Sequence, residues 1–466
     1  MDKKKQEILN AVSAMRARRA DAENALSDRV SLWEYRALVR TTDEGEIWTA
    51  ALAKALREHE IVMIPAREEP YYIDDTVTIP SGRKIEADGA VVSLTGDCRV
   101  LMLRNEHTKN GTHAPIDPAL PDRDRSITIR GGVWAEKNTG RAGYGRTGKY
   151  DPERSFYGVS TLFFFNNLDG LTLENLTFSH TAGFSVQTGD LTDGIFAHIR
   201  FEECYADGLH LNGQSENLWI SDIRGEVGDD LVALNMYDWQ NSSVDFGPTR
   251  NVLCEDLVLA PQSPYHALRI EPGMYFYDDG TSVDCGLYGA VFRRVRGIGT
   301  FKLYFQTPRY RIGEAPERGE VGSADDLYFE DIEIDLDRPI DGFREYLEGD
   351  PVRGAFGAFE LGADIGHITF ENIDLVRYEK RYPNSRLVVC GPKSVREGEY
   401  EIFDPFLSCT VGEMTFRDIR VNGYPAEDLS VLLREVSFDD INGDGHSTAS
   451  GTVRRIVWDD VVHVKR

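Results

Sequence analysis

The chain has 466 residues, 41% hydrophobic, 28% charged and 10% aromatic, which is enough apolar content for one large core or two ordinary ones. Its 43 Gly and 19 Pro are scattered without period, so neither a disordered nor a collagen-like chain fits. Against 52 Lys and Arg stand 78 Asp and Glu, and a net charge of −26 repels phosphate backbones and anionic lipid, so neither nucleic acid nor membrane is an expected partner.

The opening stretch, MDKKKQEILNAVSAMRARRADAENAL, holds no apolar run of signal-peptide length, and nowhere do about 18 consecutive apolar residues occur. A soluble, cytoplasmic protein is the expectation. Residues 4–27 and 45–58 read as helices from apolar spacing of three to four and from their Ala and Leu content. Cys98, Cys204, Cys254, Cys285, Cys390 and Cys409 lie far apart, without C-x-x-C or clustered His. Reduced, mostly buried thiols are expected, with no metal and no cofactor.

From Ile61 onward the period is two, and one octapeptide pattern recurs: LTLENLTF (171–178), IFAHIRFE (195–202), LWISDIRG (218–225), VLCEDLVL (252–259), LYFEDIEI (327–334), ITFENIDL (368–375) and MTFRDIRV (414–421). Anchored on the third residue of LTLENLTF and counting VFRRVRG (291–297), the pattern falls at positions 173, 196, 220, 254, 292, 329, 370 and 416. Short strands repeating between loops of variable length indicate a solenoid whose stacked coils share one core. A parallel β-helix is therefore predicted for residues 81–466, with residues 1–80 as a helical segment that caps the open first coil.

Between octapeptides lies a second strand, aligned as FSVQT (184–188), LHLNG (209–213), VALNM (232–236), LRIEP (268–272), LYFQT (303–307) and FELGA (359–363). Alternation points Phe184, Leu209, Val232, Leu268, Leu303 and Phe359 inward. Outward stand Ser185, His210, Ala233, Arg269, Tyr304 and Glu360 in one column, and Gln187, Asn212, Asn235, Glu271, Gln306 and Gly362 in the next. This polar ribbon suits sugar hydroxyls, although every β-helix has polar outer columns. The candidate substrate contacts are His210, Asn212, Asn235, Arg269, Glu271, Lys302, Tyr304 and Gln306.

Two residues before each inward position stand Ala182, Asp207, Asp230, His266 and Phe301, so Asp, Asp and His stack on successive coils with Asp229 beside them. Acids at close range raise one another's proton affinity, the condition for a general acid next to a general base. Asp before Gly is also ordinary turn chemistry.

These strings resemble glycoside hydrolase family 28, the polygalacturonase-like group, whose pattern is Asn-Thr-Asp-Gly, then Gly-Asp-Asp about one coil on, then Gly-His-Gly, then Arg-Ile-Lys. Ala206-Asp207-Gly208, Gly228-Asp229-Asp230 and His266 in His-Ala-Leu-Arg-Ile match the first three. The resemblance implies an all-β, single-stranded, right-handed parallel β-helix of the pectin-lyase-like kind. It also implies an inverting glycosidase on pectin-like oligosaccharides, with Asp229 as acid, Asp207 and Asp230 activating water, and His266 holding the network. The likeness is specific only over about 205–270, and Tyr304-Phe305-Gln306 stands where Arg-Ile-Lys is expected.

The insertion Glu136–Tyr157 carries Lys137, Arg141, Arg146, Lys149 and Arg154, cations suited to an acidic sugar. Asp440, Asn442 and Asp444 match half of a calcium loop, but position twelve is Gly451. An oligosaccharide is the expected partner, trimmed from its ends if it is met inside the cell, and self-association stays open. The competing readings are a β-helix lyase using Arg269 or Lys302 on a uronate, and a glycan-binding solenoid without catalysis.

Overall fold

The computed structural model describes residues 2–96, 101–108, 122–141, 161–237, 243–276, 279–296, 301–304, 310–311, 321–335, 357–376, 386–391, 396–397, 400–401, 408–435, 450–459 and 461–464. Its strands form a parallel β-helix. One ladder runs in chain order through Arg29–Ser31, Ile61–Met63, Arg83–Glu86, Asp124–Arg130, Thr161–Glu174, Phe184–Glu202, Ser215–Gly225 and Thr249–Leu259. It continues through Leu287–Arg296, Ser323–Asp335, Asp364–Val376 and Cys409–Val421 to Gly451–Trp458.

The octapeptide repeat is this ladder's register. Leu173, Phe196, Ile220, Cys254, Phe292, Phe329, Phe370 and Phe416 pair directly, each with the next, and all are buried. Two positions later Asn175, His198, Asp222, Asp256, Arg294, Asp331, Asn372 and Asp418 all have positive φ, between 47° and 59°. The left-handed bend that turns each coil is cheapest for Asn and Asp, which explains why the repeat keeps one of them there in most coils.

A second ladder runs through Leu209–Asn212, Val232–Asn235, Leu268–Ile270, Phe301–Tyr304, Gly357–Gly362 and Arg386–Cys390. Two coils differ from the predicted alignment by two residues. Val186, not Phe184, pairs with Leu209, and Phe301, not Leu303, pairs with Phe359. Gln187 thus pairs with His210, and Lys302 with both Arg269 and Glu360. A shift of two keeps every side chain on its face, so the hydrophobic pattern alone does not detect it.

The helices divide the work that was expected of a single cap. Helix α2 (Thr49–Glu58) buries Ala51, Leu52, Ala55 and Leu56 against the first coils and closes the open end. Residues Gly45–Ile47, expected to be helical, form a strand instead, paired with Arg40–Thr42 across a turn at Asp43 and Glu44, with Gly45 at φ 134°.

Helix α1 (Lys3–Asn24) does not cap the end; it lies along the side of the solenoid. Ile8, Val12 and Met15 pack on Ile195, Leu253, Val291 and Tyr328, which occupy the outward position next to the anchor column. Lys5 pairs with Glu330, Arg18 with Asp193, and Glu23 with Lys84 and Arg130. From Lys5 to Glu23 the helix rises about 27 Å, and the coils between Glu330 and Arg130 stack over about 29 Å.

The ladder already begins at Arg29–Ser31, so solenoid pairing extends into the 1–80 segment. Cys204, Cys254, Cys285, Cys390 and Cys409 are buried free thiols, while Cys98 lies outside the described residues. So do 440–449 of the half calcium loop, and Gly451 opens the strand Gly451–Trp458 that ends the first ladder. No described helix is long and apolar enough to cross a membrane.

Candidate active site

Each coil enters its second side through a turn, and three successive turns carry Asp207, Asp230 and His266 in register. The backbone N–H of Asp230 donates to Oδ1 of Asp207 (3.1 Å), and that of His266 donates to Oδ1 of Asp230 (3.2 Å). A Cβ on Gly208 would stand 2.6 Å from the Leu231 carbonyl oxygen, and one on Gly228 would stand 2.5 Å from that of Tyr205. Neighbouring coils approach too closely for a side chain, which gives the Asp-Gly and Gly-Asp-Asp strings a packing reason as well.

Both stacked acids face a histidine. Oδ2 of Asp207 lies 2.5 Å from Nδ1 of His210, and Oδ1 of Asp230 lies 2.8 Å from Nδ1 of His266. His210 Nε2 faces the Asn212 amide nitrogen at 3.4 Å, so it accepts there and Nδ1 carries the proton donated to Asp207. Nη1 of Arg269 reaches Oδ2 of Asp230 (3.3 Å), and its Nη2 pairs with Glu271. Asp207 and Asp230 are each 1% exposed.

Asp229 is placed differently. Its side chain is 14% exposed, and Oδ2 receives Nη1 of Arg141 at 2.5 Å. Burial first, then Asp207 and Asp230, push its carboxyl up to about 7, against the pull of Arg141 and Arg269. Asp207, Asp229 and Asp230 bring one oxygen each within 4.8 Å of one another. The four predicted residues Asp207, Asp229, Asp230 and His266 thus converge at one place. That trio is the kind of donor set a hard cation uses, yet guanidinium groups already neutralise two of its members. Asp124, in the Glu106, His107 and Asp124 cluster, is taken up by Ser81, Asn105 and His107.

The polar ribbon departs from expectation. His210, Asn212, Asn235 and Glu271 are buried rather than open to a sugar. Gln187 and the backbone N–H of Val244 both donate to Asn212 Oδ1 (3.1 and 3.2 Å), while Val244 packs on Leu101 and Phe164. The segment at Val244 lies over the ribbon at Asn212, a tertiary event that alternation does not reveal. Arg269 stays partly exposed. Lys302 and Tyr304 are placed by their backbone pairing, opposite Arg269 and Gly362, and Gln306 lies outside the described residues.

The residue that sequence reasoning left out of the site is Arg141. It was grouped with the basic insertion, and only its place in that cluster of cations hinted at a role. Lys137 pairs instead with Glu44 (3.2 Å), and Arg146, Lys149 and Arg154 lie outside the described residues.

No known family and no curated protein matches this chain. Among solved structures it is similar to the catalytic unit of a GH87 alpha-1,3-glucanase from Streptomyces thermodiastaticus, at 14% identity over 91% of this chain and 67% of that one, with a TM-score of 0.46. It is similar to an endo-xylogalacturonan hydrolase from Aspergillus tubingensis, at 12% identity over 84% and 96% of the two chains, with a TM-score of 0.45. The Streptococcus pneumoniae surface adhesin PfbA is similar at 12% identity over 84% and 88%, with a TM-score of 0.43.

Proposed function

We propose that the chain is a glycoside hydrolase in which Asp229 protonates the leaving oxygen while Asp207 and Asp230 draw a proton from the incoming water. The observation that carries this reading is Asp229: an acid raised to about 7 beside two stacked carboxylates, more exposed than either. A carboxyl near neutrality can hold a proton and release it at working pH.

A lyase is less well supported. Arg269 is engaged by Asp230 and Glu271, which hold its charge in place instead of leaving a base to abstract a proton. A binder reading rested on the ribbon, and Asn212 lies beneath the backbone at Val244 while Asn235 is fully buried.

Pectin-like oligosaccharides are the first substrates to try, on the strength of the Asp-Gly, Gly-Asp-Asp and His-Ala-Leu-Arg-Ile strings. Attack at chain ends is the mode to look for. Inversion is the course those strings imply, and it ordinarily places acid and base about 6.5–9.5 Å apart, against about 5–5.5 Å for a covalent intermediate. The nearest acid oxygens here lie within 4.8 Å. The anomer formed first, followed by NMR, decides between the two courses.

The test is a screen of oligosaccharides read by new reducing ends, with ultraviolet absorbance to detect a lyase product. Asp229→Asn is expected to lower turnover of unactivated substrates by about 10²–10⁴. An activated leaving group should rescue this variant far better than Asp207→Asn. Full activity of Asp229→Asn on an unactivated substrate overturns the assignment.

A further inference from the structure

Arg141 covers the very oxygen that the proposed reaction needs. It reaches Asp229 Oδ2 from 88 positions earlier in the chain, at 2.5 Å, and it is the more exposed partner, at 50% against 14%. Arg269, the other cation that acts on Asp229, engages Asp230 and Glu271.

A carboxylate accepting from a guanidinium has no proton to give, and a glycosidic oxygen that must receive one finds that position occupied by N–H donors. The ion pair therefore has to open before Asp229 can act. A neutral sugar offers the guanidinium only hydroxyls in exchange, whereas a carboxylate or sulfate on the sugar offers an equal anion. Half-exposed, Arg141 can exchange partners without a buried charge being stranded.

We propose that Arg141 is the specificity-determining residue of this site, holding Asp229 closed until an anionic group of the glycan takes the guanidinium over. This rests on the reading of Asp229 as proton donor. The guanidinium stays protonated throughout and exchanges one anion for another. Asp229, once released, takes a proton from solvent and passes it to the leaving oxygen as the glycosidic bond breaks. The anion then serves two purposes, anchoring the sugar and unlocking the acid.

The experiment uses the full chain with Arg141→Ala and Arg141→Lys, assayed on oligogalacturonides and on the same oligomers after carboxyl reduction. The parent protein is expected to prefer the acidic oligomers by at least about tenfold, the worth of one charge-assisted hydrogen bond. Arg141→Ala should lose that preference by slowing on the acidic substrate while gaining on the reduced one, and Arg141→Lys should fall between. Equal loss on both substrates, or no change on either, overturns the proposal.

A second measurement does not depend on turnover: carbodiimide labelling of Asp229, read by peptide mass spectrometry. Labelling should be several-fold faster in Arg141→Ala than in the parent protein, and equal rates overturn the closed state even if no substrate is cleaved. Full activity in Asp229→Asn, with the labelling difference intact, would instead reject the proton-donor reading and leave the contact between Arg141 and Asp229 standing.

Discussion

At Asp229 the direction of the shift sets the sign of two pH effects. Its carboxyl stands at about 7 instead of 3.8, through burial and then through Asp207 and Asp230, with Arg141 and Arg269 opposing. A general acid must hold its proton, so turnover of unactivated substrates should fall as pH rises past the raised value of Asp229, which lies no lower than about 7 once the pull of Arg141 is taken away. Linkage runs the same way: between the unfolded and folded values the native state binds more protons, so rising pH lowers stability there. Asp229→Asn removes that loss. Compared in an Arg141→Ala background, its melting temperature should gain on the parent's as pH rises from about 4 to about 7. A gap that ignores pH would show that this carboxyl is not raised. Asp230→Ala is a different case: it takes from Arg269 one of its two carboxylate partners, leaving Glu271, and removes the acceptor for His266. A buried donor left without its acceptor costs about 1–3 kcal/mol, so a chemical denaturation curve must accompany any activity reading for that variant.

The corners of the coil show what a single strand-and-bend unit demands of its sequence. Asn217 has φ 56°, donates to Asp193 Oδ1 (2.9 Å) and accepts from Asn251 Nδ2 (3.0 Å), so it serves both backbone and ladder. Ordinarily Gly in a strand is less stable than Ala by about 0.5–1 kcal/mol. Here the order should invert: Asn217→Ala keeps a left-handed φ that costs about 1–2 kcal/mol, while Asn217→Gly loses only the ladder bonds. Denaturation midpoints of the two variants check this, and Ala matching or exceeding Gly would contradict it. Corners of this kind made the octapeptide legible, since an Asx bend and an anchored apolar residue recur in register. The second strand was less legible because nothing local marks its register: Val186 and Phe184 are equally good inward residues, and only the ladder distinguishes them. The acid stack was found through spacing alone. Burial of Asn212 under Val244 and the reach of Arg141 to Asp229 depend on where loops travel, which no local pattern encodes.

Across the whole molecule, helix α1 changes how a solenoid holds together. Stacked coils ordinarily contact only their neighbours, so stability propagates step by step and ends can open independently. Here one helix touches coils from Lys84 and Arg130 to Glu330, joining first to later ones through Met15, Val12 and Ile8. Its signal was present in the octapeptide: the outward second position is Ile195, Trp219, Leu253, Val291 and Tyr328 in five coils but Thr172 and Thr369 on either side. An apolar stripe of bounded length on an outer face requires a cover, and a helix of matching length supplies it. Met15 is fully buried in that contact, and truncating a buried Met costs about 2–5 kcal/mol. Met15→Asp should therefore release α1 while the coils remain paired by their own backbone ladders. Hydrogen exchange followed by mass spectrometry gives the readout: peptides from 287–296 and 323–334 should exchange in step with those from 83–86 and 124–130 in the parent protein and independently of them in the variant. The stripe peptides 195–197 and 252–254 should lose protection first, because α1 lies directly upon them. If all of these peptides change protection by one common factor, the coils are coupled through the ladders alone and α1 is only a covering layer.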